Sequence, residues 1–175
     1  MIMTVEQLRS YADFSKYTDD DLKNRLDALE SLIRAYTNNN FQNRNIRKYC
    51  SSENNVLKCT SEFFKVGDTI QISNSKVNDG LYVIEQITLD GLMLDGSIFD
   101  VTRQTVTKIE YPKGVINTVV ELMKWESQFA DKRGIQSESI GRHSVTYASQ
   151  NDDNSFGGYP KSIFNALTQY QKARF

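Results

Sequence analysis

Cys50, Cys59 and His143 are the strongest nucleophiles and metal ligands in the chain, and their number limits what they can do. The cysteines are too far apart for a CxxC pair, and one histidine cannot complete a four-ligand zinc site with them. The opening Met1-Ile2-Met3-Thr4-Val5-Glu6 lacks the basic region and apolar core of a secretion leader, so two reduced, free thiols are expected. A disulfide across the Asn/Ser-rich segment between them is the alternative. Asp19, Asp20 and Asp21 are adjacent and therefore point in different directions around a helix axis; that suits a helix N-terminus better than a metal. Arg44, Arg47 and Lys48 form a short basic cluster that fits a phosphate backbone or, more simply, water. Glu121 and Glu126 read as solvated helix positions. Gly157-Gly158 lacks the spacing and the following Lys-Ser/Thr of a phosphate cradle and reads as the tip of a flexible polar loop. No nucleophile, base and orienting group come together, so the chain is not expected to be an enzyme or to carry a cofactor or metal.

These residues have to be positioned by helices at both ends of the chain and by strands in the middle. Thr4 with Gln7 writes a capping box for a short helix over Val5 to about Ala12. Thr18 opens the next helix, with the acid triplet in its first turn, and Leu22, Leu26, Leu29, Ile33 and Tyr36 recur at spacings of four, three, four and three. Pro112 pre-sets φ for a helix through Trp125 and Phe129, with Lys132, Arg133 and Gly134 as its closing signals. Val115, Val119, Leu122 and Met123 make its apolar face, and Ile116, Val120 and Trp125 widen the arc until the helix needs neighbours on several sides. Pro160 starts a last helix with the stripe Ile163, Phe164, Leu167 and Tyr170.

Between these flanks the period changes from about 3.6 to 2. The asparagine-rich stretch from Asn38 to Asn55 reads as a boundary loop held down by Ile46 and Tyr49. Thr69 to Ile72, Leu81 to Ile87, Leu92 to Leu94 and Val106 to Ile109 read as strands, separated by Asn78-Asp79-Gly80, Asp90-Gly91 and Asp95-Gly96 turns. The expected fold class is α+β, with a small helical bundle from residues 1–56 plus 111–175 and an inserted antiparallel β-barrel or sandwich over 57–110. The 175 residues carry a net charge of −1, which disfavours bulk electrostatic binding of nucleic acid. No apolar run approaches the roughly 18 residues a membrane span needs.

The segment Gly134-Ile135-Gln136-Ser137-Glu138-Ser139-Ile140-Gly141-Arg142-His143-Ser144-Val145-Thr146-Tyr147 reads as a turn and a short strand. A lone histidine there, beside Arg142, is expected to be inert. Together with the Pro-led helix before it and Gly158-Tyr159-Pro160-Lys161-Ser162-Ile163 after it, the segment resembles the head-to-tail connector (adaptor, or head-completion) proteins of tailed bacteriophages and prophages. The resemblance covers residues 1 to 47 and 111 to 175. Lys65-Val66-Gly67-Asp68 followed by Asn78-Asp79-Gly80-Leu81-Tyr82-Val83-Ile84 is similar to the small SH3-like barrels inserted in some phage neck and tail proteins. Here the chain departs from the simplest connector pattern, in which the second helix leads almost directly to the Pro-led one.

The resemblance implies a virion-neck protein made in a bacterial cytoplasm. It also implies a ring of about twelve copies under the portal in the assembled neck, with the free protein a monomer or weak oligomer. Its partners would be the portal protein, the next neck or stopper protein, and DNA passing without sequence-specific contact. By the same resemblance, Ile163, Phe164, Leu167, Tyr170, Lys172, Arg174 and Phe175 would meet the portal from a tail that orders on docking. Ser137, Glu138, Arg142, His143, Val145 and Tyr147 would face the ring contact or the channel. The competing reading is a nucleic-acid-binding or protein-interaction module acting through the barrel, with Phe63, Phe64 and Tyr82 stacking on bases.

Overall fold

The computed structural model describes residues 1–129, 137–140, 143–146 and 154–173, with backbone alone for 137–140 and 143–146. Its α+β chain divides into two compact units, one of Met1–Ile2 with Asn39–Tyr111 and one of Met3–Asn38 with Pro112–Phe175.

Both N-terminal helices start where their caps are written. In α1 (Val5–Tyr11) the Thr4 side chain accepts from Gln7 N–H while the Gln7 side chain accepts from Thr4 N–H, closing the expected capping box. Thr18 and Asp21 do the same for α2 (Asp19–Thr37), and Asp19 meets Arg9 at 2.7 Å. Asp19 and Asp21 of the acid triplet are therefore occupied with a surface ion pair and with capping. Leu22, Leu26, Leu29 and Ile33 are buried as their spacing predicts, and Asn38 ends the helix in the left-handed conformation at φ 48°.

The barrel is closed and six-stranded, in the order β1-β2-β5-β4-β3-β6. Its strands are β1 (Gln42–Glu53), β2 (Val56–Lys58), β3 (Thr69–Ser73), β4 (Gly80–Ile87), β5 (Leu92–Leu94) and β6 (Val101–Ile109). Every neighbouring pair is antiparallel. Leu57, Phe64, Ile70, Ile72, Ile84, Leu92, Leu94, Ile98 and Val106 fill the interior. Two expectations are corrected here. The asparagine-rich stretch is a twelve-residue strand, so the barrel unit begins near Asn39 rather than at Leu57. Tyr49 stands out from it, 67% exposed, while Ile46 packs against the barrel core. The cysteines are paired: Asn54 and Asn55, both at positive φ, form a two-residue hairpin turn that sets Ser51 opposite Lys58. Cys50 and Cys59 are thereby brought to a Cα separation of 5.4 Å and joined in a disulfide inside the barrel.

The expected Asn78-Asp79-Gly80 turn is also a structural key. Asn78 is buried, donating to Phe99 O at 2.9 Å and Gln104 Oε1 at 3.1 Å and accepting from Phe99 N–H at 2.8 Å. Asp79 accepts from the Ser75 N–H and hydroxyl at 2.8 and 2.9 Å, and these bonds to the charged form hold its carboxyl below the usual carboxylate range. A depressed folded-state pKa stabilises above the unfolded value of about 3.9, and the contribution disappears as pH falls through the folded value. The stability difference between parent and Asp79→Asn is therefore expected to be constant at neutral pH and to vanish in the acid limb. Denaturant unfolding across pH checks this, and an unchanging difference would overturn it.

In the other unit, α3 (Lys113–Phe129) buries Val115, Val119, Val120, Leu122 and Met123. Pro112 stands one residue before the helix, its carbonyl accepting from Val115 and Ile116 N–H. Trp125 is only half-buried, its ring 5.5 Å from that of Tyr159 and 5.9 Å from that of Phe129. The closing signals Lys132, Arg133 and Gly134 lie outside the described residues.

Candidate functional site

The surface expected to meet a partner is built on the end of the chain. It starts from a tight hairpin: β9 (Ser155–Phe156) pairs with β10 (Tyr159–Pro160) across Gly157 and Gly158, at φ 59° and 83°. Two consecutive positive-φ residues make the primed turn that glycine allows without strain, so this pair is a defined turn rather than a flexible tip. The hairpin throws Phe156 against Tyr36 and Phe164, with centroids 5.0 and 5.2 Å away, and Tyr36 lies 5.0 Å from Phe164. Edge-on and tilted geometries of this kind are the favourable ones for aromatic rings.

After α4 (Lys161–Phe164) the chain tightens into a 3₁₀ helix, Asn165–Tyr170. With three residues per turn, Phe164, Leu167 and Tyr170 fall in line. Phe164 and Leu167 are fully buried, so two of the expected partner anchors belong to the core of this unit. Tyr170 is half-buried over Gly114, where any Cβ would stand 2.6 Å from its hydroxyl. Ile163 is half-exposed and lines a groove of about 410 Å³ with Gly114, Asn117, Thr118, Glu121, Ser162 and Ala166.

Beyond Tyr170 the segment is not a loose tail as far as it is described. The Lys172 N–H donates to Thr37 O at 2.8 Å, and the Asn38 side chain donates to Lys172 O and Ala173 O at 3.3 and 3.1 Å. The first of these bonds serves a carbonyl at the end of α2, which an α-helix leaves without an internal partner, and the other two serve carbonyls of the terminal segment itself. The Lys172 side chain remains exposed. Arg174 and Phe175 lie outside the described residues.

Glu126 is the residue that sequence reasoning placed wrongly. It is 8% exposed, ion-paired with Arg25 at 2.5 Å and accepting from the Tyr159 hydroxyl at 3.0 Å. It thus ties α2, α3 and the terminal hairpin together, whereas Glu121 is exposed and pairs with Lys124 at 3.0 Å. The missed signal was position: three residues after Met123 and four after Leu122, Glu126 lies on the buried face of the helix. Glu126→Gln keeps an acceptor for Tyr159 but removes the charge facing Arg25, and is expected to cost about 1.5–3 kcal/mol. A chemical-denaturation midpoint equal to that of the parent would overturn this.

The other candidate set lies on a second hairpin, β7 (Ser137–Ile140) with β8 (His143–Thr146). Its register pairs Ser137 with Thr146, Glu138 with Val145 and Ile140 with His143. Ser137, Glu138, His143 and Val145 thus share one two-stranded ribbon, while Arg142 and Tyr147 lie outside the described residues. Among the described residues no group of His, Cys, Asp and Glu side chains is gathered as a metal site, and no helix is long and apolar enough to cross a membrane.

No family model and no curated protein matches this chain. In the barrel, Phe64 and Tyr82, which base stacking would require outside, contribute to the core or pack against it, and only Phe63 of the three is exposed.

Proposed function

We propose that the protein is a structural neck component of a tailed phage, a connector-type adaptor that joins a DNA-filled head to its tail by forming a ring under the portal. The observation that carries this reading is the way the chain is spliced. Residues 3–38 and those from Pro112 onward make one helical unit, and the barrel is inserted between α2 and the Pro-led α3. Strands at Ser137–Ile140 and His143–Thr146 and a short helix after Pro160 then follow, where the resemblance implies a turn, a strand and a Pro-initiated last helix. The unit is a connector-type bundle in which α3 is the central member and the terminal segment is seated on α2 and α3. A structural role also agrees with how the polar groups are used. Asp19, Asp21 and Glu126 are engaged in capping, ion pairing and tying elements together.

The protein would bind portal-bearing, DNA-filled heads and then present a fresh surface to the next neck protein. Purified chain added to such heads should co-sediment with them and appear as a ring at one vertex in electron micrographs. Equal recovery with heads lacking the portal would sink the reading. The competing nucleic-acid module has less support, because two of its three stacking candidates are built into the barrel. Salt-sensitive retention of the free protein on DNA, without any binding to heads, would reverse that preference.

A further inference from the structure

The barrel segregates its charge by strand. β1 carries Arg44, Arg47 and Lys48 with one acid, Glu53, at its far end, and β6 carries Arg103 and Lys108 with none. The span Gly80–Leu94, which is β4, its turn and β5, carries Glu85 and Asp90 and no lysine or arginine. In the closed order β1-β2-β5-β4-β3-β6, β4 lies three strands from β1 and β5 three strands from β6. The basic ribbon and the acidic ribbon are therefore opposite walls of one barrel.

Each wall is built as more than a scatter of charges. On the basic side, the ladder between β1 and β6 jumps from Asn43–Lys108 to Arg47–Thr107, so Arg44, Asn45 and Ile46 bulge out of it. Arg47 is held in place, its Nε donating to Thr107 Oγ1 at 3.0 Å and its Nη2 to Gln42 Oε1 at 3.2 Å, with Gln42 fixed in turn by Gln71. The Arg103 guanidinium lies 4.6 Å from the centroid of the exposed Tyr49 ring. Among the described residues Arg44, Arg47, Lys48 and Arg103 make no ion pair, whereas Lys108 is taken up by Asp68. On the acidic side, Glu85 and Asp90 also stand free of ion pairs and are flanked by exposed apolar residues: Leu81, Ile87, Met93 and a fully exposed Leu89 at the turn. Arginine and tyrosine anchors on one wall meet apolar surface ringed by acids on the other.

We infer that the barrel is a self-docking module whose basic β1/β6 wall binds the acidic, apolar β4/β5 wall of a second copy of this chain. Two different patches on opposite walls make a heterologous contact, which repeats head to tail and closes into a ring where the rotation allows. The inference deepens the ring reading above and rests on it for closure; it assigns the contact between copies to the inserted barrel.

Sedimentation velocity of the full chain at low salt tests it. The parent is expected to associate reversibly beyond dimers as concentration rises, and less so as added salt shortens the screening length. Arg44→Glu with Arg103→Glu, and separately Glu85→Lys with Asp90→Lys, should each weaken association about tenfold or more through like-charge juxtaposition. An equal mixture of the two variants should recover association, since the intact walls pair with each other and the two charge-reversed walls are complementary in turn, and all four changes in one chain should recover it as well. The mixture also guards against misfolding, because a misfolded variant would not pair. A parent that stays monomeric to its solubility limit would overturn the inference, as would wall variants that associate like the parent or a mixture that fails to pair although both variants melt like the parent. If Arg44→Glu with Arg103→Glu instead abolishes retention of a single-stranded oligothymidylate and leaves association intact, the basic wall is a nucleic-acid surface and the inference falls. Association as described without attachment to heads would refute the neck reading alone; attachment without wall dependence would refute this inference alone.

Discussion

Phe164→Ala is expected to destabilise the helical unit by about 3–5 kcal/mol, the range for emptying a well-packed aromatic site. Phe164 is fully buried, stacked at 5.0 Å on Tyr36 and at 5.2 Å on Phe156, and precedes the equally buried Leu167 by one turn of 3₁₀ helix. The neighbours come from α2 and from the terminal hairpin, so the cavity could not collapse without moving one of them. Had Phe164 been a partner anchor held for docking, truncation would leave the melting point of the free protein in place and remove only binding. Differential scanning calorimetry of the free variant separates the two cases: an unchanged transition would return Phe164 to the contact surface. A matched Ile163→Ala change, at the half-exposed position lining the groove, is the control and should melt close to the parent.

This difference between neighbours shows where the sequence was legible. An apolar stripe reports which residues share a face, not whether that face meets its own chain or another's. Ile163, Phe164, Leu167 and Tyr170 read as one amphipathic surface at the α-helical period. The 3₁₀ geometry after Phe164 regroups them, drawing Phe164 and Leu167 inward and leaving Ile163 aside. Helix starts were readable because caps are local chemistry: Thr4, Gln7, Thr18 and Asp21 use bonds within one turn. β3, β4 and β5 were readable because isoleucine, valine and leucine alternate between Gly-containing turns.

β1 was not legible. Its Gln42-Asn43-Arg44-Asn45-Ile46-Arg47-Lys48-Tyr49 run lacks alternation and is rich in asparagine, and it is a strand because β6 supplies a partner edge. Its one local sign was Asn54-Asn55, a pair well suited to the two-residue turn that makes the hairpin and, with it, the disulfide. Glu126 escaped for the opposite reason. A carboxylate on a helix suggests water until the arginine that neutralises it is known, and Arg25 lies a hundred and one residues away in sequence. The barrel's opposed walls were invisible for a related cause. Over the whole chain the charges nearly cancel, to a net of −1, and only the strand order sets the basic β1 and β6 and the acidic β4–β5 span on different sides.

Removal of Gln171 to Phe175 is expected to abolish head-to-tail joining while leaving both units folded. The cut belongs after Tyr170, because the Tyr170 ring covers Gly114 at a distance that no side chain could replace. What is lost from the fold is small: the Lys172 N–H to Thr37 O, the Asn38 side-chain bonds to Lys172 and Ala173, and the Gln171 side-chain bond to Tyr36 O. The carbonyls at the end of α2 can turn to water, so the cost should be about 1–3 kcal/mol, well below that of emptying the Phe164 site. What is lost from the surface is larger in kind: the exposed Lys172 cation and, beyond the described residues, Arg174 and Phe175, a basic and aromatic pair of the types that dominate interface energies. Extracts supplying the truncated chain should therefore accumulate filled heads and free tails, while sedimentation of the truncated protein alone reports the same self-association as the parent, since the barrel walls are untouched. Joining at the parent's rate would move the portal contact to the Ser137–Thr146 hairpin; a truncated protein that unfolds would make the last residues part of the core. Lys172→Glu in the full-length chain distinguishes these further, because its backbone bond to Thr37 survives the change and only the charge offered to the portal is reversed.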